Sequence, residues 1–203
     1  MSRTLLLPAL ALAACTLDES GNPTNGTVVA EETSESNLAA ECPASTPAAL
    51  APNADQTLAF VTDAQGVQKY TCVASTTGYA WTFVAPDADL FDAKAKGLTI
   101  HHFAGPTWLY KDSSSVLAAK KAGVTVDPTA IPWLLLDVTK HGGAADGRLS
   151  GINQIQRLVT GGGNAPASGC DADHVGAESD VLYTARYFFY RTVGDETQVR
   201  CGG

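Results

Sequence analysis

Long apolar runs are missing from the chain beyond its first 14 residues. A bilayer span needs about 20 consecutive apolar residues, so we expect any membrane contact to be made by an attached lipid. Basic residues are also scarce, with 13 Lys and Arg against 21 Asp and Glu and no basic cluster. This charge balance argues against nucleic-acid binding, which relies on Lys and Arg contacts to phosphates.

The motifs of common catalytic sites are missing too. The glycines of Gly161–Gly163 are consecutive and Pro166 follows them, which fits neither a dinucleotide fingerprint nor a Lys-containing phosphate loop. We interpret this triplet as a turn that uses positive φ angles. No Gly-x-Ser-x-Gly elbow occurs, and no two cysteines have the tight spacing of a zinc site. We therefore predict no catalytic residue, no cofactor and no bound metal.

The N-terminus has the layout of a secretory signal. A positive residue, Arg3, is followed by a short apolar stretch, and small residues directly precede Cys15. This order predicts a lipoprotein signal peptide over residues 1–14, with Cys15 acylated and inserted into the lipid bilayer. The alternative is an ordinary secretory signal with a chance cysteine. Thr16 after the cysteine favours the outer over the inner membrane of a bacterial cell envelope.

Residues 15–41 have the composition of a disordered tether. They are rich in Ser, Thr, Asn, Gly and Glu, contain no aromatic residue, and cannot bury enough apolar area to offset their ordering entropy. Six acidic residues and no basic one lie there, so most of the net charge of −8 belongs to the tether. The acidity is therefore no clue to a basic partner.

Residues 42–203 have the length of one domain and the periodicity of β-strands. Val181–Arg191 alternates strictly, and Ile131–Val138 is a near-continuous apolar run that suits a strand buried on both faces. We read Asp63–Gly66 as a turn, and Ser113–Ala122 as the one candidate for a short helix. Many short strands with Gly and Pro turns predict a mostly all-β fold, an antiparallel sandwich or barrel with long loops. The other predicted strands are Thr57–Thr62, Gln68–Ala74, Tyr79–Val84, Leu98–Phe103, Thr107–Lys111 and Ile152–Thr160.

Four further cysteines follow the tether, and an even number in an exported domain predicts disulfides. Four cysteines allow three pairings. We favour Cys42–Cys201 together with Cys72–Cys170, since the first pair would join the two ends of the domain, which commonly lie close together. Each bond would close a loop of about a hundred residues or more.

Several side chains are candidates for a binding site. Arg157 lies in an apolar strand, where it either pairs with a buried carboxylate or reaches the anion of a ligand. Trp108 and Trp133 could line a cleft, although aromatic residues more often belong to the core. His101 and His102 would face opposite sides of a strand, so both cannot easily bind one metal.

The chain contains, in this order, the motifs Gly66–Cys72, Pro86–Phe91, His102–Trp108, Ile131–Leu136, Ile155–Arg157, Thr160–Gly162 and Tyr187–Tyr190. Through these motifs the chain resembles, from Leu58 to Arg191, the DUF3455 family, a domain of unknown function. The chain departs from the family pattern at Asp112–Ser114, where relatives show Asp-Gly-Ser, so Ser113 needs another turn type or a positive φ. The resemblance supports the Cys72–Cys170 pairing, because both cysteines lie in family motifs, and it supports a cell-envelope location, but it implies no activity.

We expect a non-catalytic module that binds a cell-envelope or extracellular ligand. The site residues we predict are His102, Trp108, Trp133, Gln156 and Arg157. The alternative is an exported hydrolase or metal-dependent enzyme centred on His102, with His141 and acidic residues nearby. A structural surface protein without a small ligand is the third possibility.

Overall fold

A computed structural model describes residues 41–91, 98–192 and 199–201. The predicted signal peptide, Cys15 and all but the last residue of the predicted tether lie outside these ranges. No helix in the described ranges is long and apolar enough to cross a membrane.

The described chain forms one antiparallel sheet that closes into a barrel. Each strand pairs with the next along the sequence, and the last pairs with the first, so the mostly all-β prediction is confirmed and the barrel is the form the sheet takes. The strands are β1 (Gln56–Ser75), β2 (Gly78–Phe91), β3 (Leu98–Phe103), β4 (Thr107–Tyr110), β5 (Ser115–Val124), β6 (Trp133–Gly142), β7 (Ile152–Gly162) and β8 (Glu178–Thr192).

Alternation along β8 sorts its side chains between the inside and the outside of the barrel. Tyr187 and Phe189 belong to the cluster inside the barrel, whereas Phe188 and Tyr190 belong to a second cluster on the outer wall. All four side chains are buried. Both faces of this strand are therefore covered, the inner by the other strands and the outer by a different part of the chain.

The outer cover is an N-terminal strap, residues 42–52, which includes a short 3-10 turn at Ala48–Leu50. The Leu50 side chain is fully buried in the outer cluster, and Cys42 packs against the same cluster. Beneath the strap, Leu135 of β6 faces outward while Leu136 faces the barrel interior, and both are buried. The prediction of a strand buried on both faces is thus confirmed for this part of β6.

The disulfides are the two pairs that the sequence favoured. Cys42 bonds Cys201, and Cys72 bonds Cys170, each with Cα atoms 5.3 Å apart. The first holds the strap against the outer wall. The second ties the long connection between β7 and β8 to β1, where the Cys72 carbonyl also accepts a hydrogen bond from Gly176 (2.9 Å).

One end of the barrel is closed by the connection between β6 and β7. The Arg148 guanidinium lies over the Phe60 ring at 4.3 Å, and Leu149 is fully buried in the inner cluster. At the opposite end, Gly162 and Gly163 adopt the predicted positive φ angles, 65° and 81°, but the glycine triplet is not a turn, since Gly161 and Gly162 lie at the end of β7 and pair with β8. The Tyr70 hydroxyl donates to the Gly163 carbonyl there (2.7 Å).

The helix considered for Ser113–Ala122 is wrong. This segment is β5 from Ser115 onward, because Val116 and Ala118 alternate into the inner core while the strand pairs with β4 and β6. Ser113 itself has a φ of 71°, as the departure from the family pattern required.

The turn predicted at Asp63–Gly66 is also wrong, since these residues lie inside β1 and pair with β2 and β8. Gly66 serves a different purpose there, because a Cβ at this position would overlap the Asp87 carbonyl of β2. Asp87 and Asp89 also lie within a strand, β2.

Candidate ligand-binding site

The barrel holds a cavity of about 360 Å³ near the end opposite Arg148. All eight strands contribute to its lining. Phe83 and Val84 of β2 lie at its rim, with 49% and 58% of their surface exposed, and Lys120 of β5 is a further exposed residue of the lining. We call this space the barrel cavity. Its lining is Gln68, Phe83, Val84, Pro86, His102, Gly105, Pro106, Trp108, Lys120, Leu134, Leu136, Arg157 and Tyr187.

An aromatic wall forms one side of the barrel cavity. The His102 and Trp108 rings stack at a centroid distance of 4.1 Å, and Tyr187 meets each of them edge-on at 5.6 Å and 5.9 Å. These contacts follow from the sheet, since His102 and Trp108 are direct partners on β3 and β4. The wall is rigid and apolar, with its polar atoms at the edges of the rings.

His102 is neutral in this environment. Burial lowers its pKa to about 3, with a smaller contribution from the nearby charge of Arg157 and an opposing one from the hydrogen bond to Thr107. The Nδ1 atom lies 2.9 Å from the Thr107 carbonyl, which can only accept, so Nδ1 carries the proton. The other ring nitrogen, Nε2, is then an unprotonated acceptor.

Arg157 brings a cationic side chain into the barrel cavity from β7. Its Nη2 donates to the Pro132 carbonyl (2.9 Å), while its Nε is buried without a partner. Among the described residues, no carboxylate forms an ion pair with it. The sequence left two possible partners for this arginine, a buried carboxylate or the anion of a ligand. Within the described residues, no buried carboxylate pairs with it.

Three of the side chains that line the barrel cavity carry a buried donor without a partner. Gln68 Nε2, Trp108 Nε1 and Arg157 Nε are buried without hydrogen-bond partners, and all three side chains line this space. The three other buried side-chain atoms without partners in the described ranges are oxygens of residues outside the lining. A buried donor without a partner costs about 1–3 kcal/mol, so the polar side chains that line this cavity are incompletely satisfied by the described residues.

Trp133 and Gln156 lie on the outer wall, away from the barrel cavity. Gln156 is fully buried under the strap, where its Nε2 donates to the Leu50 carbonyl and its Oε1 accepts from the Tyr190 hydroxyl, both at 2.6 Å. Trp133 packs against the same outer cluster. The five predicted residues therefore separate, with His102, Trp108 and Arg157 together in the cavity and the other two beneath the strap.

A second space of about 360 Å³ lies between the strap and the barrel wall and is bordered by Gln156. Because both ends of the Gln156 amide are already satisfied within the protein, this side chain has no unmet hydrogen-bonding group to offer a ligand.

The sequence missed several lining residues. Tyr187 was placed on the correct face of β8 by its alternation but was not recognised as part of a site, and Lys120 was assigned to the helix considered above. Gln68 was also missed as a site residue. It lies in a β-rich run, and its polar side chain is buried, with only 3% exposed.

The histidines do not come together around a metal position. His101 faces outward, beside Asp89 (3.1 Å) and Asp87 (3.7 Å). His141 contacts the Ile152 carbonyl and His174 contacts Asp171. Within the described ranges, no group of three or more His, Cys, Asp or Glu side chains could hold a metal ion, so the alternative centred on His102 has no ligand set there.

A single antiparallel meander that closes on itself and keeps a lined internal space defines an eight-stranded β-barrel, a size at which the interior can hold one small ligand. The chain belongs to the DUF3455 family, described as a protein of unknown function, whose model matches residues 52–191. The match begins before β1 and reaches into β8, so it covers the barrel wall and every residue of the cavity lining. No curated protein and no solved structure matches the chain.

Proposed function

We propose that the domain is a non-catalytic module that binds a small molecule in the barrel cavity. The observation that carries this proposal is an internal, mostly apolar space of about 360 Å³ that all eight strands line and that includes the polar side chains of Gln68, Trp108 and Arg157. Each of these side chains carries a buried donor without a partner among the described residues, which costs about 1–3 kcal/mol.

The rest of the lining supports the same function. A site for a small organic molecule is a largely apolar space of a few hundred cubic ångströms with a few placed polar groups. The barrel cavity has that volume, and Pro86, Pro106, Leu134, Leu136 and Tyr187 supply the apolar surface. Because the walls are paired strands, the site is built before the ligand arrives.

The rim supplies an entrance. Phe83 and Val84 remain half or more exposed although they belong to a paired strand. Apolar side chains at the mouth of an apolar space favour the transfer of an apolar ligand body out of water.

The proposed location is the cell envelope, with the domain held there through an acylated Cys15. The lipobox-like residues before Cys15 motivate this proposal, and two disulfides are consistent with an oxidising compartment. Labelling cells with a palmitate analogue tests it: the protein should take up the label, and the Cys15→Ser variant should not. Equal labelling of both proteins would rule out acylation at Cys15.

Ligand binding is tested by blocking the cavity. The purified domain is screened against a small-molecule library by thermal shift and by the fluorescence of Trp108, which lines the space. Leu134→Trp fills the cavity and should abolish the shifts given by true ligands. Leu182→Trp is the matched control, since this side chain is 73% exposed on β8 and lies outside the lining. Shifts that survive in Leu134→Trp would count against the proposal.

A further inference from the structure

The charged groups of the barrel cavity are all of one sign. Arg157 and Lys120 line it, and no Asp or Glu does, although acidic residues outnumber basic ones in the chain by 21 to 13. His102 adds no charge, because burial keeps its pKa at about 3. The cavity is therefore a positively charged space in a negatively charged protein.

Several other cations of the barrel wall have carboxylate partners, although Lys140 of β6 and Arg191 of β8 form no ion pair within the described ranges. Lys69 pairs with Asp87 at 3.2 Å, and Arg186 pairs with Asp63 at 2.8 Å. In the same described ranges, neither Arg157 nor Lys120 forms an ion pair. Solvent exposure alone does not explain why Arg157 lacks a carboxylate partner, since its side chain is half-buried and its Nε is fully buried.

A half-buried guanidinium without a counter-ion is costly, because removing charge from water requires a compensating partner. The Pro132 carbonyl and the Tyr187 hydroxyl both hydrogen-bond the Arg157 side chain, but neither carries a charge. The planar guanidinium offers further N–H groups in a fork that matches the oxygens of a carboxylate, sulfonate or phosphate. The Gln68 and Trp108 side chains line the same space, and the N–H groups that they carry are compatible with anionic oxygens.

We infer that the ligand of the barrel cavity is a small amphipathic organic anion, with its anionic group on Arg157 and its apolar body against the aromatic wall and the rim. This inference rests on the proposed function and narrows it to one chemical class. Lys120, at the rim, adds to the positive potential that draws the anion in.

Two dyes that differ by one anionic group test this inference. The probes are 1-anilinonaphthalene-8-sulfonate and its uncharged parent, N-phenyl-1-naphthylamine, both of which become fluorescent in apolar surroundings. We expect the sulfonate to bind with a stoichiometry of one and at least tenfold more tightly than the neutral dye, since a charge-assisted hydrogen bond contributes about 1.5–3 kcal/mol.

Variants of the cavity residues test which side chains cause the preference for the sulfonate dye. Arg157→Gln should remove the advantage of the sulfonate and leave the affinity for the neutral dye within about twofold, and Arg157→Lys should retain part of it. Circular dichroism and the melting temperature establish that these variants fold. Lys120→Gln, on the exposed rim, is an independent test: it should lower the affinity for the sulfonate dye by a few fold and leave the affinity for the neutral dye unchanged. Lys121→Gln is the matched control, because Lys121 pairs with Asp137 and does not line the cavity.

The outcomes separate this inference from the proposed function. If both dyes bind equally well and Leu134→Trp blocks both, the cavity binds small molecules but the anionic class is wrong. If neither dye binds in a way that Leu134→Trp abolishes, both the class and the proposed site are overturned.

Discussion

His102 and Trp108 stack with their ring centroids 4.1 Å apart and their planes inclined by 10°, which seals the imidazole inside the barrel. The His102 side chain is buried, and its Nδ1 proton is held by the Thr107 carbonyl. Protonation of the second nitrogen would place a charge between aromatic rings and near Arg157. The stability of the barrel is therefore coupled to the protonation of this one residue.

Acid should destabilise the domain through His102. Its pKa is about 3 in the folded protein and near its ordinary 6.5 in the unfolded chain, so between these values the unfolded state binds the extra proton. Stability is then complete above about pH 6.5 and falls with pH down to about 3, by at most about 1.4 kcal/mol per pH unit. Urea unfolding between pH 7 and pH 4.5 measures this slope.

The matched variants for that experiment are His102→Phe and His101→Asn. The first keeps an aromatic ring in the stack and should flatten the slope, whereas the second changes an exposed histidine and should leave the slope close to wild type. Below about pH 4.5 the carboxylates also titrate, including Asp112 and Asp127, whose hydrogen bonds to Ser114 and Thr129 lower their pKa values. An unchanged slope in His102→Phe would contradict the assignment.

Replacement of Ser113 by glycine should stabilise the protein. Ser113 has a φ of 71°, a conformation that costs a residue with a Cβ about 1–2 kcal/mol. Glycine relieves that strain but loses more freedom on folding, so we expect a net gain of about 0.5–1 kcal/mol in Ser113→Gly by urea unfolding. Ser113→Val should instead destabilise the turn, because a β-branched side chain tolerates positive φ poorly. A loss of stability in Ser113→Gly would show that the Ser113 side chain matters more than its backbone.

The hydrogen bond beneath the strap should be a large contributor to stability. Tyr190→Phe removes the donor to Gln156 Oε1 (2.6 Å) and leaves that oxygen buried without a partner, which costs about 1–3 kcal/mol. Tyr79→Phe is the control, since Tyr79 is 46% exposed and should lose less than about 0.5 kcal/mol. Equal effects of the two changes would mean that the strap is not packed as described.

The two disulfides should stabilise the domain by similar amounts. They join residues 159 and 98 positions apart, and the chain-entropy contribution grows only with the logarithm of the loop length, to on the order of 4–5 kcal/mol each. Peptide mapping without reduction should recover Cys42 linked to Cys201 and Cys72 linked to Cys170. A peptide that links Cys42 to Cys72 would contradict the pairing.

The double variants Cys42→Ser with Cys201→Ser and Cys72→Ser with Cys170→Ser compare the two bonds by thermal unfolding. We expect both to melt below the wild type. Only the first should also increase proteolysis within residues 42–52, because it releases the strap from the wall. Resistance of the strap in that variant would show that packing of Leu50 alone retains it.

Strand periodicity explains why the fold was predictable and β5 was not. The alternation of Val181–Arg191 correctly placed Tyr187 and Phe189 on one face. In β5 the run Leu117–Lys120 is rich in strong helix formers, and pairing with two neighbouring strands overrides that preference. Gly66 led to the wrong turn prediction at Asp63–Gly66, because a close approach between backbones requires glycine as strictly as a turn does.

The site could be predicted only in part for a related reason. Adjacent residues on a strand face opposite sides, so Gln156 and Arg157 could never share one cavity. The strap covers the outer wall of β7 and β8 and makes it as apolar as the inner one. The sequence therefore does not indicate which of the two side chains faces inward. Sequence alternation defines two faces but cannot identify the interior when both are buried.

The bond between Cys42 and Cys201 also has a mechanical consequence. It joins the two chain ends beside β1 and β8, whose first and last residues are neighbours in the sheet at Gln56 and Thr192. The Leu58 amide donates to the Val199 carbonyl (2.9 Å) at the same place. A pulling force applied to the chain before Cys42 is therefore divided between two adjacent strands and draws them in the same direction. Such a load does not peel β1 away from β8, so the seam that closes the barrel is protected from tension on the N-terminus.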